Sequence, residues 1–157
     1  MRGKTKYKKI EVLPDPKYNS TEVAKFINLL MRRGKKSLAQ RIVYAAFDIA
    51  EKKLSKSALE ILKQALDNVG PALEVRTRRI GGATYQVPME VKKDRKTTLG
   101  MRWIIEVARE RQGKPMAEFL AQELIDAAQN TGLAIKRKQE MHKLAEINRA
   151  FAHYVRM

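Results

Sequence analysis

Between Leu73 and Val91 the spacing of apolar residues changes from a helical period to the period of a strand, and this switch restricts the architecture more than any other feature of the chain. Leu73, Val75, Val87, Met89 and Val91 stand at odd positions, whereas Glu74, Arg76, Arg78, Gln86 and Glu90 stand at even ones. Gly81 and Gly82 lie at the centre, so the segment reads as a β-hairpin over about residues 72–91. A two-residue loop would pair odd positions with even ones and mix the faces, so the alternation predicts a three-residue loop or a bulge at the tip. Pro88 cannot donate to a ladder, which a two-stranded ribbon with a free outer edge tolerates.

The other periodic segments are helical. Asn19 and Glu22 have capping-box spacing ahead of Val23, Phe26, Ile27, Leu30 and Met31. Gly34 ends that helix, and a second begins near Lys36 or Ser37 with Leu38, Ile42, Ala45 or Ala46, and Ile49 expected inward. A third, starting at Ser57 with Glu60 as its capping glutamate, is expected to bury Leu59, Leu62, Leu66 and Val69 and to stop at Gly70 and Pro71. Beyond the hairpin, helical signals resume around Asp94, with Leu99, Trp103 and Val107 on a face broadened by Ile104, Ile105 and Ala108. Gly113 and Pro115 then introduce a fifth helix, which carries Met116, Phe119, Leu120, Leu124, Ala127 and Ala128. After Gly132 a sixth starts with Lys136, Arg137 and Lys138 and is expected to turn Met141, Leu144 and Phe151 inward. The expected fold is mainly α: a single six-helix domain over residues 19–157 with a long protruding two-stranded β-hairpin. A basic N-terminal arm and an extended connector, residues 1–18, precede it.

Charge narrows the function. The 157 residues contain 33 lysines and arginines against 17 acids, a formal net charge of +16. A hydrophobic fraction of 44% is close to the globular norm of roughly 45 to 50%, so a folded core is expected rather than a basic tail. Self-repulsion on this scale opposes the compact state unless a polyanion neutralises it, and nucleic-acid phosphates are the simplest such partner. No membrane role is expected, because no apolar run approaches the ~18 to 20 residues of a span, and MRGKTKYKK reads as a basic arm rather than a leader. A DNA architectural protein would share the charge, but apolar wedge residues are missing from the hairpin tip.

An RNA-modifying enzyme finds no chemistry to support it. His142, flanked by Glu140 and Lys143, reads as a solvated helix position, and His153 lies about three turns further on, too far to share an ion. Asp126, following Glu123 by one helical turn, reads as surface charge. IGGATY lacks the spacing of a phosphate loop, and the absence of cysteine removes thiolate metal sites. No catalytic residue, metal site or cofactor is expected.

The basic residues fall into clusters. The arm contributes Arg2, Lys4, Lys6, Lys8 and Lys9. A helix junction contributes Arg32, Arg33, Lys35 and Lys36, of which the lysines stand beside the positive start of a helix, an arrangement that suggests an intervening anion. Arg76, Arg78 and Arg79 precede the hairpin glycines. Strands of about eight residues reach some 25 Å at roughly 3.3 Å per residue, and a lone ribbon is marginal in water, so the hairpin reads as a finger laid along folded RNA. Lys92, Arg95, Arg102, Arg109, Arg111 and Lys114 suggest one broad positive surface around it. Aromatics make up 6% of the chain and no strand pair carries a stacking triplet, so recognition should depend on shape and phosphates.

Four segments resemble one family in order. VAKFINLLMRRGKKSLAQRIVYAA is similar to the first two helices and basic junction of the bacterial-type small-subunit ribosomal protein seven family, and GPALEVRTRRIGGATYQVPMEV to its hairpin. RWIIEVARERQGKPMAEFLAQELIDA resembles the following helix pair and KLAEINRAFAHY the close, while YVRM stands where many members end in Tyr-Arg-Trp. The resemblance implies a cytoplasmic structural protein of the small subunit that binds the 3′ major domain of 16S ribosomal RNA as a primary binder and nucleates head assembly. It implies a place at the subunit interface near exit-site tRNA and the mRNA exit path, with small-subunit proteins nine and eleven as neighbours. It further implies that Arg76, Arg78, Arg79, Gly81 and Gly82 enter RNA and approach exit-site tRNA. Lys35, Lys36, the arm and Lys114 would hold ribosomal RNA.

Overall fold

The computed structural model of the protein describes residues 11–155, so Arg2, Lys4, Lys6, Lys8 and Lys9 lie outside the described residues. The element order is α1 (Thr21–Leu30), α2 (Lys36–Leu54), α3 (Ala58–Val69), β1 (Leu73–Ile80), β2 (Ala83–Glu90), α4 (Lys93–Glu110), α5 (Met116–Ala128) and α6 (Leu133–Ile147), closed by a 3-10 helix, Arg149–Val155. The expected mainly α fold with one protruding hairpin is the fold observed. Helix α5 sits at the centre and packs against α2, α3 and α4. Its Leu120, Ala121, Leu124, Ala127 and Ala128 join Phe26, Phe47, Leu62 and Ile104 in one buried cluster.

Several inward faces differ from the sequence reading. In α2 the buried stripe is Ala39, Val43, Ala46, Phe47 and Ala50, whereas Leu38 is 44% exposed and Ile42 and Ile49 are only half-buried. The aromatic ring sets this rotation: Phe47 lies parallel to Phe26 at 6.5 Å and meets Tyr18 edge-on at 5.4 Å, while the alanines let the helices approach. Leu59 likewise faces outward because Ala58, Ile61, Leu62 and Ala65 take the inner positions of α3. Leu144 is exposed too, and α6 buries only Ala134, Ile135 and Ala145. Phe151 belongs to the 3-10 helix and packs on Tyr85 of the hairpin, 5.3 Å between ring centres.

The N-cap of α1 is Ser20, not Asn19. Ser20 is extended and its hydroxyl accepts the Val23 N–H, while Asn19 has φ 46, a left-handed conformation no N-cap adopts. The preceding segment is also not extended throughout. Buried Asp15 accepts the N–H groups of Lys17 and Tyr18 and the Tyr44 hydroxyl at 2.7 Å, which folds residues 15–20 into a turn on α2. Burial and the facing carboxylate push the Tyr44 pKa up to about 12, so it remains a donor.

The hairpin tip is a two-residue loop rather than a three-residue loop or bulge. Ile80 pairs with Ala83, and Gly81 and Gly82 have φ 57 and 86, the two positive values that a tight primed turn requires. Odd positions therefore do pair with even ones, as in Arg76 with Val87 and Val75 with Pro88. The mixture is tolerated because the root of the hairpin is covered on both faces. Glu74 and Val87 are buried on one, Pro88 is buried on the other, and Leu73 and Val75 are half-buried there. With no single apolar face to set the register, the glycine turn sets it.

Glu123, one turn before Asp126, is fully buried. Its Oε1 accepts the Ala134 N–H at 2.8 Å, capping α6, and its Oε2 receives Arg111 Nη2 at 2.6 Å. Burial pushes its pKa up against the opposing pull of that N–H and of Arg111. Glu123→Ala removes the cap of α6 and leaves Arg111 without its main partner. We expect a loss of about 3 to 5 kcal/mol in unfolding free energy, measured by urea denaturation.

Candidate nucleic-acid interface

The turn between α1 and α2 is built from two consecutive left-handed residues, Arg33 (φ 52) and Gly34 (φ 72). It throws Arg32, Arg33, Lys35 and Lys36 outward, all exposed and none in an ion pair among the described residues. Lys35 occupies the N-cap of α2, offers no side-chain acceptor, and no acid follows in the first turn. The first N–H groups of α2 and two lysines thus point positive charge at one spot. Beside it lies a groove of about 430 Å³ lined by the apolar Leu30, Met31, Leu38 and Ile42 together with Arg32, Arg33, Lys35 and Arg109.

Helix α4 extends this surface. Arg95, Arg102 and Arg109 recur every seven residues and so share one side of the helix. Adjacent depressions link them. Arg95 and Arg102 line one of about 270 Å³ with Asp94 at its edge, Arg102 and Arg109 line the next with Glu106, whose charge Arg137 meets, and Arg109 lines the groove at the α1–α2 turn. The cations form a strip running from the hairpin root to the helix junction, roughly 21 Å along α4 at about 1.5 Å per residue. Arg109 also donates Nη2 to the Leu30 carbonyl at 2.7 Å, closing the end of α1. Burial, together with the nearby Arg32, lowers its pKa.

At the hairpin, Arg79 is exposed and free of ion pairs among the described residues, and Gly81 and Gly82 are exposed at the tip. Arg78 is half-buried and donates to the Tyr154 carbonyl at 3.1 Å, while Tyr85 opposite it packs on Phe151 and Tyr154. The 3-10 helix therefore props the finger to more than half its length. Arg76 and Arg95 both bind buried Glu74. Lys92 is exposed at the N-cap of α4.

Other predicted cations do not join the strip. Arg111 pairs with Glu123, Lys114 stands 4.0 Å from Glu118, and both line a separate depression between α2 and α5. Arg137 pairs with Glu106 and Glu110, and Lys138 donates to the Asn68 carbonyl, so these tie α6 to α4 and α3. His142 is not a solvated position. Half-buried, its Nε2 accepts the Ala72 N–H at 3.0 Å and anchors the start of the hairpin. Its buried surroundings, and after them Lys138, lower its pKa. No periodicity announces this contact, which joins residues far apart in the chain. The described residues hold no group of acids and histidines able to bind a metal, and no helix among them is long and apolar enough to cross a membrane.

Comparison with known proteins fits this geometry. The family model for ribosomal protein S7p/S5e matches residues 1–149. The small ribosomal subunit protein uS7 of Caldanaerobacter subterraneus is 61% identical over 146 residues, 93% of this chain and 94% of that one. That of Chloroflexus aggregans is 62% identical over 144 residues, 92% of each chain. The protein of the same name from Caldicellulosiruptor saccharolyticus is 59% identical over 155 residues, 98% of this chain and 99% of the other.

Because the neutral ring of His142 is the acceptor, its depressed pKa stabilises the hairpin root above its ordinary value of 6.5 and that contribution is lost as pH falls through the lower folded value. The protection factor of the Ala72 amide, its exchange rate relative to the unstructured amide at the same pH, should fall on acidification more than those of amides bonded within α5. In His142→Ala that extra acid sensitivity should vanish.

Proposed function

Since the chain belongs to the ribosomal protein S7p/S5e family, we propose that it binds the 3′ major domain of 16S ribosomal RNA as a primary binder and nucleates folding of the small-subunit head. Membership makes it a structural protein of the small ribosomal subunit, acting in translation on the cytoplasmic ribosome, with ribosomal RNA and small-subunit proteins as partners and no enzymatic activity. The observation that carries the finer reading is the continuous strip formed by Arg32, Arg33 and Lys35 with Arg109, Arg102 and Arg95.

A rigid helical core presents this strip and the propped finger at the same time. Binding one RNA element at the α1–α2 turn raises the effective concentration of the next at the finger, so a junction that samples several shapes is drawn toward the one that meets both. Counterion release from the neutralised phosphates drives the association. Arg78, Arg79, Gly81 and Gly82, at the outer part of the finger, are the residues we assign to the neighbourhood of exit-site tRNA and the mRNA exit path. Small-subunit proteins nine and eleven are the protein neighbours we propose. The arm, with Arg2, Lys4, Lys6, Lys8 and Lys9, adds a flanking RNA contact in this reading.

Replacing Arg32, Arg33, Lys35 and Lys36 together by alanine should weaken binding to a transcript of the 3′ major domain. The slope of log K against log salt should flatten by roughly 3 units, at about 0.7 to 0.9 for each phosphate that the variant leaves unneutralised. Helix content and melting should stay close to the parent, because these side chains make no ion pairs within the described fold. A salt slope equal to the parent's would count against the strip as the binding surface.

A further inference from the structure

Glu74 sits at the root of the finger with its side chain only 7% exposed, in a strand whose other charged residues, Arg76, Arg78 and Arg79, are all cations. Both of its oxygens are engaged. Arg76 approaches Oε1 through Nε at 2.6 Å and through Nη2 at 2.5 Å, and Arg95 from α4 reaches Oε1 and Oε2 through Nε at 2.9 and 2.7 Å. Both guanidinium groups therefore touch the same oxygen atom, which holds them side by side. Left alone, two such cations repel each other and spread into solvent.

The contacts also decide which edges are held. Arg95 uses only Nε on Glu74, leaving both of its Nη groups without a partner among the described residues, and Arg76 leaves Nη1. The two side chains remain 49% and 45% exposed. One carboxylate and two guanidiniums leave a single net positive charge, which matches one phosphodiester. Adjacent to Arg95 is the depression of about 270 Å³ that Asp94, Thr98, Leu99 and Arg102 also line. Asp94 at its edge disfavours a second anion, and the Thr98 hydroxyl is turned back to the Asp94 carbonyl.

We propose that Glu74 is a positioning residue that makes Arg76 and Arg95 a preformed clamp for one RNA phosphodiester where the finger leaves the body. The inference rests on the ribosomal-RNA reading and adds to it an acidic residue on which binding depends. Guanidinium groups recognise phosphate through paired N–H donors in a fixed plane, and a carboxylate that fixes the Nε edge fixes that plane before RNA arrives. The same carboxylate joins β1 to α4, so the direction of the finger and the orientation of the clamp are set together.

Charge and geometry predict opposite results, which makes the test decisive. Glu74→Gln makes the protein more positive, so a charge-only surface would bind RNA more tightly. The clamp requires instead that the full-length variant bind a transcript of the 3′ major domain of 16S ribosomal RNA about tenfold more weakly. Its salt slope should be flatter by roughly 0.7 to 0.9, the share of one phosphate, while binding to heparin is equal or tighter. Arg76→Lys with Arg95→Lys, which keeps both charges and removes the Nε edges, should show the same loss, and adding Glu74→Gln to that pair should cost nothing more.

Parent-like affinity and slope in Glu74→Gln overturns the clamp, and so does a Glu74→Gln loss that persists undiminished in the double-lysine background, because that marks a packing role. Should Glu74→Gln fail to fold, the double-lysine variant decides alone, and parent-like binding by it overturns the proposal. A parent that binds the transcript no better than heparin overturns the ribosomal-RNA reading itself, a result distinct from a discriminating parent with an indifferent Glu74 variant.

Discussion

A net charge of +16 has to be carried on a body of 157 residues that is stable enough to hold its cations in place. Three carboxylates, Asp15, Glu74 and Glu123, are the polar side chains buried among the described residues, and each is used as an anchor. Asp15 folds the approach to α1 onto Tyr44 of α2, Glu123 joins Arg111 to the start of α6, and Glu74 joins the hairpin to α4. Burying a lone carboxylate is costly, and these three are offset by ion pairs or by N–H and O–H donors. Every buried side-chain nitrogen and oxygen among the described residues has a partner.

Division of labour among the cations follows from that arrangement. Arg111, Arg137 and Lys138 are consumed in holding helices together, and Arg109 does two jobs, closing α1 while standing in the strip. Arg32, Arg33, Lys35, Lys36, Arg79 and Arg102 make no such contacts among the described residues and remain available to a polyanion. The finger is stiffened from below by aromatic packing of Tyr85 on Phe151 and Tyr154, and by the His142 bond to Ala72. A two-stranded ribbon, marginal in isolation, thereby becomes a defined projection.

Much of the fold was legible. Six helices and a hairpin followed from periodicity and from Gly and Pro punctuation, and the glycine pair marked the tip correctly. Which face of a helix turned inward was less legible wherever apolar residues encircle it. In α2, Leu38 and Ile42 competed with Val43 and Phe47, and the stacking of Phe47 on Phe26 decided the outcome. The tip geometry failed for a related reason. Alternation predicts register only when one face is buried, and here the hairpin root is covered on both. Of the candidate interface, the clusters at the α1–α2 turn and at the finger were readable as runs. Seven-residue spacing of Arg95, Arg102 and Arg109 was present too, but its meaning depended on which side of α4 the core would occupy.

By itself the sequence determined the partner class, the helical body and the finger, because net charge, apolar period and turn residues are local or additive properties. Only the tertiary structure decided which cations are free and which are spent. Pairs such as Glu74 with Arg95, Arg111 with Glu123 and His142 with Ala72 join residues distant in the chain, and an ion pair depends on the position of both partners. The protruding hairpin was thus written in the local pattern, whereas its footing, a buried carboxylate shared by two arginines, came from the tertiary structure, which brings the Arg95 side chain of α4 within reach of Glu74 on β1.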